Sequence, residues 1–312
     1  MKGMELSERY FDEYGKTLIN DELGKYKEYI AAGLAGEGSE CLGFDDELSR
    51  DHDFGPGFCI WVPEDIYRQY GEEMQRAYDS LPAEYMGCRR LETAMGAGRV
   101  GVMPLEFFYR KYTGLDHAPE TNMEWFRIPE SFLATAVNGK VFCDNFGEFT
   151  RWRGVLRSFY PEDVLKKKLA ARCAVIAQSG QYNYPRCMKR GDSQAAYLAC
   201  GEFVRKAMSA LYLLNSMYMP YYKWMFRGSE SFTVLSDTAD KLRRLTLIPD
   251  TPENGMIKTD LIESISVDIG RELGRRGFTS TTDAFLQLHG EEIMKSIEDQ
   301  QLGRLHIMVD FE

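Results

Sequence analysis

Between Gly36 and Val62 the chain runs Gly36-Glu37-Gly38-Ser39-Glu40-Cys41, then Asp51-His52-Asp53, then Phe58-Cys59-Ile60-Trp61-Val62. This order restricts the fold more than any other stretch. The apolar run ended by Pro63 reads as a strand buried on both faces. Alternation along a strand sets Asp51 and Asp53 on one face. Two carboxylates on one face bind a hard cation such as Mg²⁺ or Mn²⁺, leaving water and phosphate oxygens as its other ligands. Such an ion neutralises the charge that develops in phosphoryl transfer. Gly38 lets the backbone approach a phosphate and Ser39 adds a hydroxyl donor. A helix starting there would add free amides as an anion site. Together these residues imply the equipment for moving a nucleotide from a nucleoside triphosphate. A metal-dependent hydrolase using Asp51, His52 and Asp53 is disfavoured, because alternation turns His52 away from both aspartates.

The rest of the chain sets bounds. A length of 312 residues suits one large domain or two ordinary ones. A net charge of -10 argues against a dedicated nucleic-acid binder, which needs a basic surface. No apolar run reaches the ~20 residues of a membrane helix. The N-terminal Met1-Lys2-Gly3-Met4-Glu5 leads into an acidic, aromatic segment rather than a secretory core, so a cytoplasmic address is expected. The seven cysteines are scattered without a C-x-x-C pair, which points to reduced thiols, mostly buried.

Periodicity predicts a long amphipathic helical region over residues 5–34, then the strand, then a helix from Pro63-Glu64-Asp65 to about Ser80. Arg99 to Met103 reads as a further strand, Leu105 to Tyr112 as a helix stopped by Gly114, and Val141 to Asp144 as a short strand or turn. Pro161-Glu162-Asp163 starts a helix closed by Gly180, and Gly191 to Asn215 forms another with a broad apolar face. Further helices are expected at 229–244, 259–274 and 281–300. The fold class is α+β: a mixed sheet with flanking helices over residues 1–158, followed by an all-helical bundle over residues 159–312. The acidic run Asp45-Asp46-Glu47 reads as a solvated loop.

The segment 36–62 resembles the nucleotidyltransferase superfamily, whose members include DNA polymerase beta, the kanamycin and streptomycin nucleotidyltransferases, and small antitoxin nucleotidyltransferases. More closely, Gly36 to Asp53 with Gly55-Pro56-Gly57-Phe58 resembles an uncharacterised bacterial branch of it, a domain of unknown function. The similarity continues through Gly139 to Asp144, Tyr160 to Val164, Arg190-Gly191-Asp192, and Leu214 to Trp224.

The resemblance implies Gly38 and Ser39 on the triphosphate and Asp51 and Asp53 as metal ligands and catalytic residues. The expected reaction moves a nucleoside monophosphate, from ATP in the first instance, to a hydroxyl of an unknown small molecule or protein. Active members place a third carboxylate on a following strand. The strand candidate here has Gly101 and no acid, with Glu92 before it and Glu106 beyond. This departure motivates the alternative, a nucleotide-binding or regulatory module with weak or no turnover. An antitoxin-like role falls within that alternative, although the helical half lacks an obvious Arg-x₄-His ribonuclease signature. The resemblance also implies that the helical half supplies acceptor contacts. Candidates there are Arg186 with Arg190 as a phosphate clamp, and Asn215, Tyr218, Tyr222 and Lys223, of which Lys223 would hold the triphosphate. Arg151 and Arg153 form a further basic pair, expected in solvent or in surface salt bridges. The sequence sets no oligomeric state.

Overall fold

The computed structural model describes residues 1–50, 54–90 and 98–311. The chain divides into two compact units. The first comprises Met1–Pro119 with Phe132–Ser158, and the second comprises Glu120–Ser131 with Phe159–Glu312.

The first unit opens with α1 (Gly3–Tyr10), two π-helical turns (Phe11–Gly15 and Leu18–Glu22), a 3-10 segment (Gly24–Tyr29) and β1 (Ala31–Leu34). The continuous helical region expected to residue 34 therefore ends before Ile30. Ala31, Ala32, Gly33 and Leu34 instead form an inner strand of a four-stranded sheet, buried along its whole length. Small residues suit the position. A side chain at Gly33 would sit 2.9 Å from Cα of Val141 in the adjacent strand.

β2 (Cys59–Val62) follows, then α2 (Glu64–Asp79) with Pro63 at its N-cap and two acids in its first turn. A two-stranded hairpin, β3 (Glu84–Tyr85) and β4 (Cys88–Arg89), precedes β5 (Gly101–Pro104) and α3 (Leu105–Thr113), which Gly114 terminates in the left-handed conformation (φ +74°). Next in the chain come α4 (Asn122–Arg127), which belongs to the second unit, and α5 (Glu130–Ala136), which starts in the second unit and ends in the first, followed by β6 (Lys140–Asp144) and α6 (Glu148–Arg157) of the first unit.

The sheet order is β5-β2-β1-β6. β1 runs antiparallel to β2 and β6, and β2 runs parallel to β5. The two inner strands, β1 and β2, are buried on both faces, as the unbroken apolar run of β2 requires, while the edge strand β6 is only partly buried. Phe58, Ile60 and Val62 pack with Tyr10, Phe11, Ile19, Met74 and Tyr78 on one side. On the other, Trp61 stacks on Phe149 at 4.0 Å between ring centroids and meets Phe108 edge-on at 5.4 Å.

The second unit is a helical bundle: α7 (Glu162–Ile176), α8 (Tyr184–Lys189), α9 (Ser193–Leu214), α10 (Met225–Gly228), α11 (Ser236–Leu247), α12 (Gly255–Arg275), α13 (Leu286–Lys295) and α14 (Gln300–Gly303). Its core joins Leu169, Ala170 and Ala174 of α7, Phe203, Ala207 and Leu211 of α9, and Ile262, Ile265 and Ile269 of α12. Gly180 does not stop the helix there. The backbone continues through a π-helical segment, Ala177–Asn183, into α8. Glycine is required for packing instead, since a Cβ there would lie 2.9 Å from Cγ2 of Ile262 and collide with Phe203. Among the described residues no helix is long and apolar enough to cross a membrane.

Candidate functional site

Strand directions bring several sequence segments to one end of the sheet. β1 ends beside the start of β2, where Gly33 pairs with Cys59. Cys59 pairs with Gly101 at the start of β5, and Leu34 pairs with Lys140 at the start of β6. The Gly36–Ser39 turn, Arg99 and the 137–139 loop therefore leave the sheet at the same end, which is also where the chain after Asp53 enters β2.

The turn is built from two glycines in conformations that side chains disfavour: Gly36 at φ +105° and Gly38 at φ +116°. A reciprocal amide pair holds Gly36. Its N–H donates to Oδ1 of Asn138 at 2.9 Å, and Nδ2 of Asn138 donates to its carbonyl at 2.8 Å. Arg153 fixes Asn138 in turn. One guanidinium nitrogen donates to the carbonyls of Val137 (2.9 Å), Asn138 (2.6 Å) and Gly139 (2.9 Å). Arg153 is buried, and burial followed by the nearby Arg157 lowers its pKa to about 10. It is thus a positioning residue for the turn rather than the surface group its sequence context suggests. Arg151 does behave as expected, pairing with Glu148 at 2.6 Å on the exterior.

Ser39 opens a 3-10 helix of four residues, Ser39–Leu42. So short a helix supplies little dipole, and positive charge comes from side chains. Arg99 donates through Nε to the carbonyl of Glu37 at 2.9 Å, and its guanidinium pairs with the buried Glu40 carboxylate. Lys111 pairs with Glu37 at 2.7 Å. Burial pulls the Arg99 pKa down, while Glu37 and Tyr112 oppose that shift. Neither Arg99 nor Lys111 lies in the contiguous motif, so sequence reasoning missed both. A side chain at Gly38 would collide with the Arg99 guanidinium and approach Oε2 of Glu40 to 2.5 Å. With ψ at 142°, Gly38 also occupies a region essentially reserved for glycine. Gly38→Ala is expected to cost about 1–3 kcal/mol by that strain and to break the Arg99–Glu40 pairing; chemical denaturation checks the stability term.

Asp51 and Asp53, with His52, lie outside the described residues, as does Glu92. Hydrogen bonds hold the stretch Pro56–Phe58. Ser7 Oγ donates to the Gly57 carbonyl at 2.6 Å, Arg90 Nε to the Pro56 carbonyl at 2.9 Å, and the Phe58 amide to the Tyr78 hydroxyl at 3.0 Å. Among the described residues no cluster of three or more His, Cys, Asp or Glu side chains could hold a metal.

Geometry accounts for the missing acid at Gly101 and turns Glu106 away. Gly101 has φ +102°, and a side chain there would sit 2.8 Å from Oε1 of Gln75, which already accepts the Val102 amide at 2.8 Å. Glu106 lies in the first turn of α3, beyond Pro104, which pairs with Val62 at the opposite end of β2. It emerges away from the glycine turn. Asp45 is not a solvated loop residue: it is buried, accepts the Gly3 amide at 2.8 Å and pairs with Lys2. The nearby thiols are unsuited to nucleophilic work. Burial raises the Cys41 pKa far above its ordinary value and that of Cys59 to about 12.

The helical-half candidates belong to the second unit. Arg190 caps the C-terminus of α8 and is exposed. Arg186 stacks over the Tyr182 ring at 4.6 Å. Asp192 caps α9 by accepting the Ala195 amide at 2.9 Å. Asn215 is occupied structurally: Nδ2 donates to the carbonyls of Leu211 (2.8 Å) and Val234 (3.0 Å), and Oδ1 accepts the amides of Thr233 (3.1 Å) and Val234 (3.0 Å). Tyr218 packs against Tyr160 at 5.1 Å. Lys223 and Tyr222 are exposed, with Lys223 over the Trp224 ring at 5.0 Å.

Residues 125–225 match a family described as "Domain of unknown function (DUF4037)". No curated protein matches the chain. Among solved structures, a nucleotidyltransferase-like protein from Exiguobacterium sibiricum 255-15 is distantly similar, with a TM-score of 0.38 and 12% identity over 86% of this chain and 79% of that one.

Proposed function

We propose that the chain binds a nucleoside triphosphate, ATP in the first instance, with Mg²⁺ at the glycine-turn end of the sheet, as a binding or regulatory module with weak or no nucleotidyl transfer. One observation carries the reading. The Gly36–Ser39 turn, flanked by Arg99 and Lys111, lies at the end of the sheet where β2 begins, and Gly101, which opens β5 at that same end, is closed to a third carboxylate. In this reading Gly38 and Ser39 contact the phosphates while Asp51 and Asp53 hold the ion, which supplies charge neutralisation. Arg99 exchanges Glu40 for a phosphate oxygen, which suits a forked guanidinium. Arg190 and Lys223 remain candidates for contacting a nucleotide or acceptor.

A second reading keeps full transfer to an unknown hydroxyl acceptor, favoured by the Asp-x-Asp pair, with the third acid coming from elsewhere. Pyrophosphate release separates the two. The first reading expects ATP and Mg²⁺ to raise the melting temperature without pyrophosphate release across a broad panel of hydroxyl acceptors; stoichiometric or repeated release would move the assignment to the second. At a ligand concentration one hundred times Kd the stabilisation is roughly 2.7 kcal/mol, a shift of roughly 5–10 °C. Asp51→Ala combined with Asp53→Ala is expected to remove that shift.

A further inference from the structure

In the second unit, α7 carries three cations inward. Lys167, Lys168 and Arg172 are each buried to within 1% exposure. They are covered by a segment with neither helix nor strand, Ile307–Phe311. The Lys167 ammonium donates to the carbonyls of Ile307 (3.0 Å) and Val309 (2.6 Å). Lys168 pairs with Oδ1 of Asp310 at 3.1 Å, and Arg172 pairs with the same carboxylate. Arg172 also bonds Glu130 at 3.1 Å and Ser209 Oγ at 2.6 Å.

Two features distinguish this from an ordinary buried salt bridge. First, the covering segment is anchored by its polar atoms. The Asp310 side chain is 5% exposed, whereas Val309 and Phe311 remain 36% and 40% exposed. The cation clasp adds to two apolar contacts, Phe311 edge-on to Phe126 at 5.5 Å and the partly buried Ile307 beside Gly290. Second, Lys167 receives only neutral carbonyls from the segment. Its pKa falls to about 8, through burial and then the repulsion of Lys168 and Arg172. A carbonyl satisfies a donor but brings no counter-charge, and a buried ammonium is stabilised by both.

We propose that this face of α7 is a phosphate-binding site and that Ile307–Phe311 is the strap that occupies it when no ligand is bound. Asp310 stands where a phosphate would bridge Lys168 and Arg172, and the strap carbonyls stand where further phosphate oxygens would meet Lys167. A phosphate dianion brings more charge and more acceptor oxygens than one carboxylate, and a guanidinium matches it with paired donors. Releasing the strap without a substitute would take the Asp310 carboxylate from Lys168 and Arg172 and two carbonyls from Lys167, so strap opening and anion binding are coupled. The inference rests on no part of the preceding functional reading.

The test is hydrogen exchange on the full chain, comparing inorganic phosphate with sodium chloride at equal ionic strength. Phosphate is expected to speed exchange across 307–311 by about fivefold or more, since it competes for the groups that hold the strap. Asp310→Asn is expected to loosen the same amides without phosphate and to tighten phosphate binding by about tenfold. Lys167→Met should remove the phosphate effect. Tighter binding of a nucleoside monophosphate than of inorganic phosphate would place the phosphate on a larger ligand; equal binding would leave free phosphate as the ligand. Exchange at 307–311 that is indifferent to phosphate in the native chain, or a phosphate response retained by Lys167→Met, would overturn the proposal.

Discussion

Arg172→Met is expected to destabilise the helical unit by about 3–5 kcal/mol, because it takes the guanidinium from the buried Glu130 carboxylate and leaves Asp310 with Lys168. Glu130 and Asp310 both pair with Arg172, and the Glu130 side chain is 4% exposed. Ser209 Oγ, which accepts from Arg172, also donates to Glu130 at 2.6 Å, so three groups lose their arrangement at once. For a unit of this size the melting temperature should fall by roughly 10 °C. Adding Glu130→Gln to Arg172→Met should recover part of the loss, since it removes the uncompensated charge while keeping the shape. Calorimetric melting of the single and double variants measures this. A single variant within about 1 °C of the native chain would show that the cluster does not stabilise the bundle.

Arg153→Met is the second large effect, and it reads on the first unit. The guanidinium donates to three successive carbonyls, and methionine keeps much of the stem while leaving those part-buried oxygens without that donor. Each unsatisfied group costs about 1–3 kcal/mol when fully buried, a cost reduced here by part-burial and by the removal of a desolvated charge, so a net loss of roughly 2–4 kcal/mol is expected. The functional readout is separate from the stability one. Asn138 would no longer hold Gly36 in register, so ATP affinity should fall even at temperatures where the variant remains folded. Arg153→Lys should restore only part of the loss: its ammonium carries enough donors for the three carbonyls, but the lysine stem is one atom shorter and stops short of the position of the guanidinium nitrogen. Unchanged ATP affinity in a folded Arg153→Met chain would remove Arg153 from the account of the turn.

Sequence reasoning reached those elements whose signals are local. The β2 run is apolar on both faces and ends at a proline; α2 opens on Pro63 and two acids; α9 carries a broad apolar face from Ala196 to Leu214. It failed at β1 because Ala31-Ala32-Gly33-Leu34 has no strand-forming bulk. Its pairing with residues 140–144 decides the structure, and that contact is distant in sequence. Gly180 failed for a related reason: a glycine that permits two helices to touch looks, in one dimension, like a glycine that ends one.

At the candidate site, the need for glycine at position 38 was legible as a demand for close backbone approach. Arg99, Lys111 and Arg153 were not, since each acts through backbone or side chains far along the chain. Asp45 was misread because its partners, Lys2 and the Gly3 amide, precede it by a whole subdomain segment. Asn215 looked like a ligand donor and is instead fully engaged in capping α9 and holding residues 233 and 234.

Titration calorimetry of ATP into the full chain, with Mg²⁺ and then with the metal chelated, tests the central claim most directly. The account predicts saturable binding that requires the metal and disappears in the Asp51→Ala, Asp53→Ala chain while the fold is retained. Binding of none of the common nucleoside triphosphates, or binding that persists undiminished in the double variant, would contradict it.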